Sequence, residues 1–182
     1  MVGIPGVGKT TVVEKLAVLM PGSRLVNFGS VMLEQGVRLK WIRHRDEMRR
    51  LSVEKQRNLQ ASTATRISKF KDKTVIVDTH LFIRTKEGYW PGIPAEVATA
   101  LKPTHVVLVE AKAGEVLSRR AGDKKRYRDA VTAKDLEQEM ALARSFLPVI
   151  STLTGAPSFI VENHEGDPDH AARVVAAMLG GA

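Results

Sequence analysis

The chain has 182 residues, enough for one domain with a full core. Its 43% hydrophobic and 26% charged residues have the balance of an ordinary globular protein, with no apolar run long enough for a membrane-spanning helix, and the lack of cysteine excludes disulfides and thiolate metal sites. The formal charge of +8 suits polyanionic ligands, whereas the 5% aromatic content leaves little for the stacking platforms of many RNA binders.

The chain opens on Gly3-Ile4-Pro5-Gly6-Val7-Gly8-Lys9-Thr10, which fits the phosphate-binding pattern G-x-x-x-x-G-K-S/T. The glycines allow a tight turn and a close approach to phosphate. Backbone N–H groups form an anion nest at a helix N-terminus. Lys9 places a charge on the β- and γ-phosphates, and the Thr10 hydroxyl is placed to ligate Mg²⁺. The helical run from Thr11 to Ala17 follows at once, as the pattern requires. Such a loop normally follows a buried β-strand, yet only Met1 and Val2 precede it. Losing roughly four buried aliphatic side chains would cost about 6–12 kcal/mol, the size of a domain's net stability. The expectation is therefore that the natural chain starts several residues upstream, with an apolar segment ahead of Met1.

Pro21-Gly22 ends the first helix, and Arg24 to Phe28 reads as a short strand. Ser30 is the expected N-cap of a helix from Val31 to about Arg38. The segment Arg43 to Arg50 is dense in charge. A long helix is expected from Ser52 to about Phe70, with Leu59, Ala64, Ile67 and Phe70 inward. Thr74-Val75-Ile76-Val77-Asp78 is an aliphatic run ending in an acid, as in a parallel strand buried on both faces with a Walker-B aspartate at its end. His80 follows, and a lone histidine is more often structural than substrate-binding. Arg84 to Pro94 reads as a loop, carrying Gly88, Tyr89-Trp90 and Gly92.

A short helix is expected at Glu96 to Leu101, then a buried strand at Thr104 to Glu110 and a helix from Gly114 to Arg120. Gly122 to Asp129 is short and very basic. Thr132 and Asp135 have the spacing of a capping box. The helix they open carries Leu136, Met140, Ala143 and Leu147 inward, until Pro148 bends or ends it. Ser158 to Glu162 is the last strand, Asn163 to Pro168 a polar turn, and a C-terminal helix starts at Asp169. Strands alternating with helices imply an α/β fold: a doubly wound parallel sheet flanked by helices, as in P-loop nucleotide-binding proteins. Ligands of such sheets bind at the carboxyl ends of the strands. There the loop, Asp78, the Arg84 segment, Arg119-Arg120 and Asn163 converge.

Positive charge gathered at that edge suits phosphoryl transfer, which needs stabilisation of the transferring group more than any nucleophile. No Ser-His-Asp set, thiol or guanine-reading N-K-x-D motif is present. The chain reads as one kinase domain over 1–182 for a small phosphorylated acceptor. An insert at about 30–57 holds the acceptor, and a short lid at about 120–130 excludes water.

The segments GIPGVGKTT at 3–11, VNFGSVM at 26–32, RDEMRRL at 45–51, VDTH at 77–80 with Arg84-Thr85, GYWPGIP at 88–94, Arg119-Arg120, RYRD at 126–129 and Asn163 resemble those of the archaeal-type adenylate kinases over nearly the whole chain. The absent first strand is the point of departure. The resemblance implies reversible, Mg²⁺-dependent transfer of the γ-phosphoryl of ATP to AMP, giving two ADP, in a cytoplasmic and commonly trimeric enzyme. It implies ATP contacts from Gly3, Ile4, Pro5, Gly6, Val7, Gly8, Lys9, Thr10, Thr11, Arg119 and Asn163. Asn27, Gly29, Arg49, Arg84, Gly88 and Gly92 would form the AMP pocket. Lys9, Arg84, Arg120, Arg126 and Arg128 would carry the chemistry, and Thr10 with Asp78 would support the metal. Arg49 is preferred over Arg45, which has Asp46 and Glu47 as alternative partners. Arg119 and Arg120 diverge on a helix, so one of them is expected to face the phosphates directly.

Two other readings stay open. One is a kinase of the same fold acting on another nucleoside monophosphate or a small metabolite. The other is an RNA- or ribosome-associated ATPase, suggested by the net charge; nucleic acid is not otherwise expected among the partners, nor is a membrane.

Overall fold

The computed structural model describes residues 1–85, 88–122 and 132–180, with the side chain of Arg49 also outside the description. Helix α1 (Lys9–Leu19) starts directly behind the phosphate-loop sequence, with Gly8 as its N-cap in the left-handed region at φ 81°. Strand β1 (Ser23–Asn27) leads into α2 (Phe28–Arg38). The N-cap of α2 is Asn27 rather than Ser30: the Asn27 side chain accepts from the Ser30 backbone N–H at 3.0 Å, so the helix starts three residues early. The charged segment forms a 3₁₀ turn (Arg45–Arg50), and Ser52 caps α3 (Val53–Ile67).

Strand β2 (Thr74–Asp78) covers the expected aliphatic run. The segment expected as a loop after it is a β-hairpin, β3 (Phe82–Thr85) antiparallel to β4 (Gly88–Pro91), with Ile83 opposite Trp90. Its apolar residues do pair. The Phe82 ring, buried beneath the hairpin, meets Tyr89 edge-on at 5.1 Å. Helix α4 (Ala95–Leu101), β5 (Val106–Glu110) and α5 (Ala113–Gly122) follow. The Thr132–Asp135 capping box opens α6 (Ala133–Thr154). This helix passes through Pro148 without ending: the cost of the lost N–H and of the ring crowding the preceding turn is offset by Ala143, Leu147 and Ile150, which pack into the core on either side. Strand β6 (Ser158–Glu162) and α7 (Pro168–Met178), capped by Asp167, complete the chain.

The parallel pairs β1–β2 and β5–β6 are joined by the first two residues. Val2 bridges to Leu108 in parallel, with Val2 N–H donating to Val107 O at 2.7 Å and Val109 N–H donating to Val2 O at 2.8 Å. On the other side the Thr79 N–H donates to Met1 O at 3.1 Å, and the Met1 amine to Val77 O at 3.0 Å. Met1 and Val2 thus fill the slot between β2 and β5, giving the spatial order β1, β2, Met1–Val2, β5, β6. Where a full strand is expected ahead of the loop, Met1 and Val2 supply an isolated bridge.

The main core packs α1, α6 and α7 around that slot through Val2, Val12, Val13, Leu16, Leu108, Leu136 and Val175. A second cluster of Val26, Phe28, Val31, Ala64, Ile67 and Val97 holds α2, α3 and α4 to the β1–β2 edge. Buried Glu110, at the end of β5, pins α6 by accepting from Arg144 Nε at 2.9 Å and Nη2 at 2.6 Å. Those hydrogen bonds raise the Arg144 pKa above its ordinary value.

Because Val2 is 1% exposed and carries the central pairing, Val2→Ala is expected to destabilise the fold by about 2 kcal/mol in urea denaturation. Val18→Ala, on the solvent face of α1 at 79% exposure, is expected to stay within about 0.5 kcal/mol of the parent.

Candidate active site

The carboxyl ends of β1, β2, β5 and β6 deliver their next residues to one edge, where the loop of residues 3–8 turns into α1. Ile4 and Val7 are buried in the core beneath the loop and anchor it. The remaining question is which way its peptide groups face. A peptide that aims N–H inward must aim C=O outward, and an outward carbonyl needs a donor.

Three alternate carbonyls of the loop each meet one. Gly3 O lies 2.9 Å from His80 Nδ1, which must therefore carry the proton. Pro5 O accepts from Arg120 Nε at 3.0 Å. Val7 O accepts twice, from Arg119 Nη1 at 3.1 Å and from Asn163 Nδ2 at 2.8 Å. Arg119 continues to Asn163 O at 3.1 Å, which ties the end of β6 to the same point. Arg119 and Arg120 therefore both reach the loop, on different carbonyls, although they diverge on α5.

The glycines fit this collar closely. A Cβ on Gly3 would lie 2.6 Å from Val109 O. One on Gly8 would lie 2.3 Å from Asn163 Nδ2, at a φ of +81° that side chains rarely adopt. Gly6 lies under Arg120, whose Nε would be 3.0 Å from an added Cβ.

On the inner side, Lys9 is buried and forms an ion pair with Asp78 Oδ1. The other oxygen of Asp78 accepts from Asn27 Nδ2 at 3.0 Å and Thr10 Oγ1 at 3.4 Å. Asn27 thus joins the acid of β2 to the first turn of α2. Thr11, the next residue of α1, is exposed. Asp78 and Thr10 offer a carboxylate and a hydroxyl side by side. Such hard oxygen donors fit Mg²⁺, which takes one or two protein ligands and completes its shell with phosphate and water. Among the described residues there is no cluster of three or more His, Cys, Asp or Glu that would suit a metal held by protein alone.

The acceptor-side residues are placed less uniformly. Gly29 lies in the first turn of α2 with the Arg45 guanidinium over it, where an added Cβ would be 2.5 Å from Arg45 Nη2. Arg45, the less favoured arginine in the sequence, is therefore the one seen at this helix end; the Arg49 side chain is outside the description. Gly92 is buried, and its backbone closes on His80, whose carbonyl would be 2.1 Å from a Cβ. Gly88 stands at the hairpin end with φ 124° and open space around it. Arg84 reaches back from β3 to α6, with Nη1 at 3.5 Å from Asp135 Oδ1 and 3.6 Å from Glu139 Oε1. Arg120 Nη2 is 3.7 Å from the other oxygen of Glu139. The Thr132 backbone and side-chain hydrogen bonds lower the Asp135 pKa, with Arg84 adding to the effect. Arg126 and Arg128 lie outside the described residues.

Glu139 was not among the residues expected at the site. The signal was present, since an acid at position 139 has the inward phase of Leu136 and Ala143 on α6. His80 does hold a structural contact, on the Gly3 carbonyl, which tertiary structure alone provides.

A phosphate nest with its lysine and threonine, an acid at the end of the adjacent strand and arginines from two further elements define a P-loop kinase, a nucleotide-binding phosphotransferase. A family model described as an AAA domain matches residues 2–137. The chain is 41% identical over 166 residues to the adenylate kinase of Pyrococcus horikoshii, covering 90% of this chain and 84% of the relative. It is 40% identical to that of Methanopyrus kandleri (94% and 91% covered) and 38% identical to that of Methanococcus vannielii (97% and 95% covered). Among solved structures, shikimate kinase from Bacteroides thetaiotaomicron superposes with a TM-score of 0.66 over 98% of this chain and 96% of that one, at 12% identity. Shikimate kinase from Acinetobacter baumannii, in complex with shikimate, gives 0.61 over 98% and 90% at 18% identity, a likeness of fold. The chain belongs to the adenylate kinase family.

Gly8→Ala puts a side chain into both a left-handed backbone and the Asn163 amide. Its ATP affinity in titration calorimetry is expected to fall by about tenfold or more, from roughly 1–2 kcal/mol of backbone strain alone. Gly114→Ala, with nothing within 4 Å of the added atom, is expected to bind as the parent does.

Proposed function

We propose that the protein catalyses reversible transfer of the γ-phosphoryl of ATP to AMP, giving two ADP. The observation that carries this reading is the pairing of an outward-capped phosphate loop with Arg84 and Arg120, which approach from separate elements and share Glu139. One nest serves a donor nucleotide, and the additional arginine from β3 suits an acceptor that is itself a phosphate. The family relatives named adenylate kinase support AMP as that acceptor.

In this mechanism the loop N–H groups and Lys9 bind the donor phosphates and pull negative charge towards the β-phosphate. Arg84 orients the acceptor phosphate. One of its oxygens attacks the γ-phosphorus as the bond to the β–γ bridging oxygen breaks, and ADP leaves from each side. The acceptor oxygen is already anionic at neutral pH, so no general base is needed. Arg120, with Arg126 and Arg128 from the lid at about 120–130, neutralises the charge shared by the equatorial oxygens. Thr10 and Asp78 would hold Mg²⁺, which would supply charge neutralisation on the donor phosphates. Asn27, Gly29, Arg49, Arg84, Gly88 and Gly92 form the AMP pocket, and the insert at about 30–57 holds the acceptor. Arg119 and Asn163 serve the ATP side. Among the described residues the Asn163 Oδ1 is buried without a hydrogen-bond partner, which supports acceptance from a ligand donor such as an exocyclic amine.

A homotrimer in the cytoplasm belongs to the same proposal and rests on the family resemblance. Among the described residues no helix is long and apolar enough to cross a membrane.

A coupled ADP assay with ATP and AMP, CMP, UMP or GMP tests the acceptor. Turnover is expected with AMP; inertness with AMP beside turnover with another acceptor would reject the assignment. Lys9→Ala is expected to lower kcat by about 10²–10⁴-fold, as for removal of a preorganised charge, and near-parental turnover would refute its role. Arg49→Ala is expected to act mainly through a raised KM for AMP in the same assay.

A further inference from the structure

Glu139 lies in the second turn of α6 and is 4% exposed. Each of its carboxylate oxygens faces a different arginine: Oε1 lies 3.6 Å from Arg84 Nη1, and Oε2 lies 3.7 Å from Arg120 Nη2. Those arginines come from β3 and α5, so one acid spans three elements. Asp135 also approaches Arg84, with Oδ1 at 3.5 Å from Nη1, while its Oδ2 caps α6, accepting from Thr132 N at 2.8 Å and Oγ1 at 2.7 Å.

Burying a carboxylate is unfavourable unless its partners return the lost hydration. Position 139 shares the inward phase of Leu136 and Ala143, where an apolar residue would pack without that penalty. The charge is therefore tied to what it meets. Two guanidiniums brought towards one phosphoryl group repel each other, and each has a long stem with much rotamer freedom. A single carboxylate between them offsets the repulsion and restricts both stems. Arg120 is restrained further by its bond to Pro5 O, so the same acid relates the Arg84 side of the site to the loop itself.

We propose that Glu139 is a positioning residue for phosphoryl transfer, setting the spacing of the Arg84 and Arg120 guanidiniums so that both meet the transferring group together. This rests on the reading of those two arginines given above. Glu139 touches neither nucleotide; it acts through the arginines.

Steady-state kinetics of Glu139→Gln with ATP and AMP test it. The variant keeps the side chain's size and loses its charge. Its kcat is expected to fall by about 10–100-fold, as for a modest misplacement of catalytic groups, with both KM values within about threefold of the parent. In an Arg120→Ala background the same change is expected to add less than about threefold, because its effect runs through that arginine. Parental kcat in Glu139→Gln, or full multiplication of the two losses, would overturn the proposal. If Glu139→Gln does not fold by circular dichroism, Glu139→Asp carries the same cycle. It shortens the chain but keeps the charge, and its smaller loss should likewise vanish in the Arg120→Ala background.

The arginine Nε–Hε NMR resonances, recorded without added nucleotide, separate this claim from the choice of acceptor. Those of both Arg84 and Arg120 should shift in the Glu139 variant, and an unchanged pair would refute the positioning role. If the parent makes no ADP from ATP and AMP, the acceptor assignment fails, and the spectrum still decides the role of Glu139.

Discussion

A nest of amide N–H groups exists only if the carbonyls of the same peptides are satisfied elsewhere, and this constraint governs how the molecule is built. The loop from Gly3 to Gly8 is too short to satisfy them itself. Donors arrive instead from beyond the loop: His80 after β2, Arg119 and Arg120 on α5, and Asn163 after β6. The segments that follow β2, β5 and β6 thus each contribute a bond to the loop carbonyls, so the fold and the phosphate site are set by the same contacts.

The electrostatics follow from that arrangement. Cations needed for phosphates are brought together at one edge, and each has an acid close by: Lys9 with Asp78, Arg84 with Asp135 and Glu139, Arg120 with Glu139. Asp78 and Glu139 are buried, so these are not the weak surface pairs that contribute little. Buried pairs are uncertain sources of net stability, but they are effective at fixing where charges sit. Phosphoryl transfer depends on such preorganised charge rather than on a reactive side chain.

Much of this was legible in the amino-acid sequence, for identifiable reasons. The loop has a fixed spacing, and Thr74 to Asp78 and Thr104 to Glu110 carry the aliphatic runs expected of buried parallel strands, β5 being buried throughout. The Thr132–Asp135 box announced α6 through local hydrogen bonding alone. Features decided by distant contacts were not legible. Arg84 to Pro94 looks like a loop because its two glycines and two prolines mask a short antiparallel pairing. Asn27 takes the cap from Ser30, its amide nitrogen being held by Asp78 from the next strand. Pro148 ends many helices but not one packed along its whole length. One of Arg119 and Arg120 is expected to face the phosphates directly; that both reach loop carbonyls was not legible, because strand order alone does not give the direction of a long side chain. Glu139 carried a signal in its phase, a charge on an apolar stripe, which periodicity read for hydrophobic residues alone passes over.

The most direct measurement is the scalar coupling across the hydrogen bond from the Asn163 side-chain amide to the Val7 carbonyl, recorded by NMR with and without ATP. If the collar of donors builds the nest in advance, the coupling is present in both samples. A coupling that arises only when ATP is added would mean that the phosphates organise the loop, and would contradict the view that the fold prepares it.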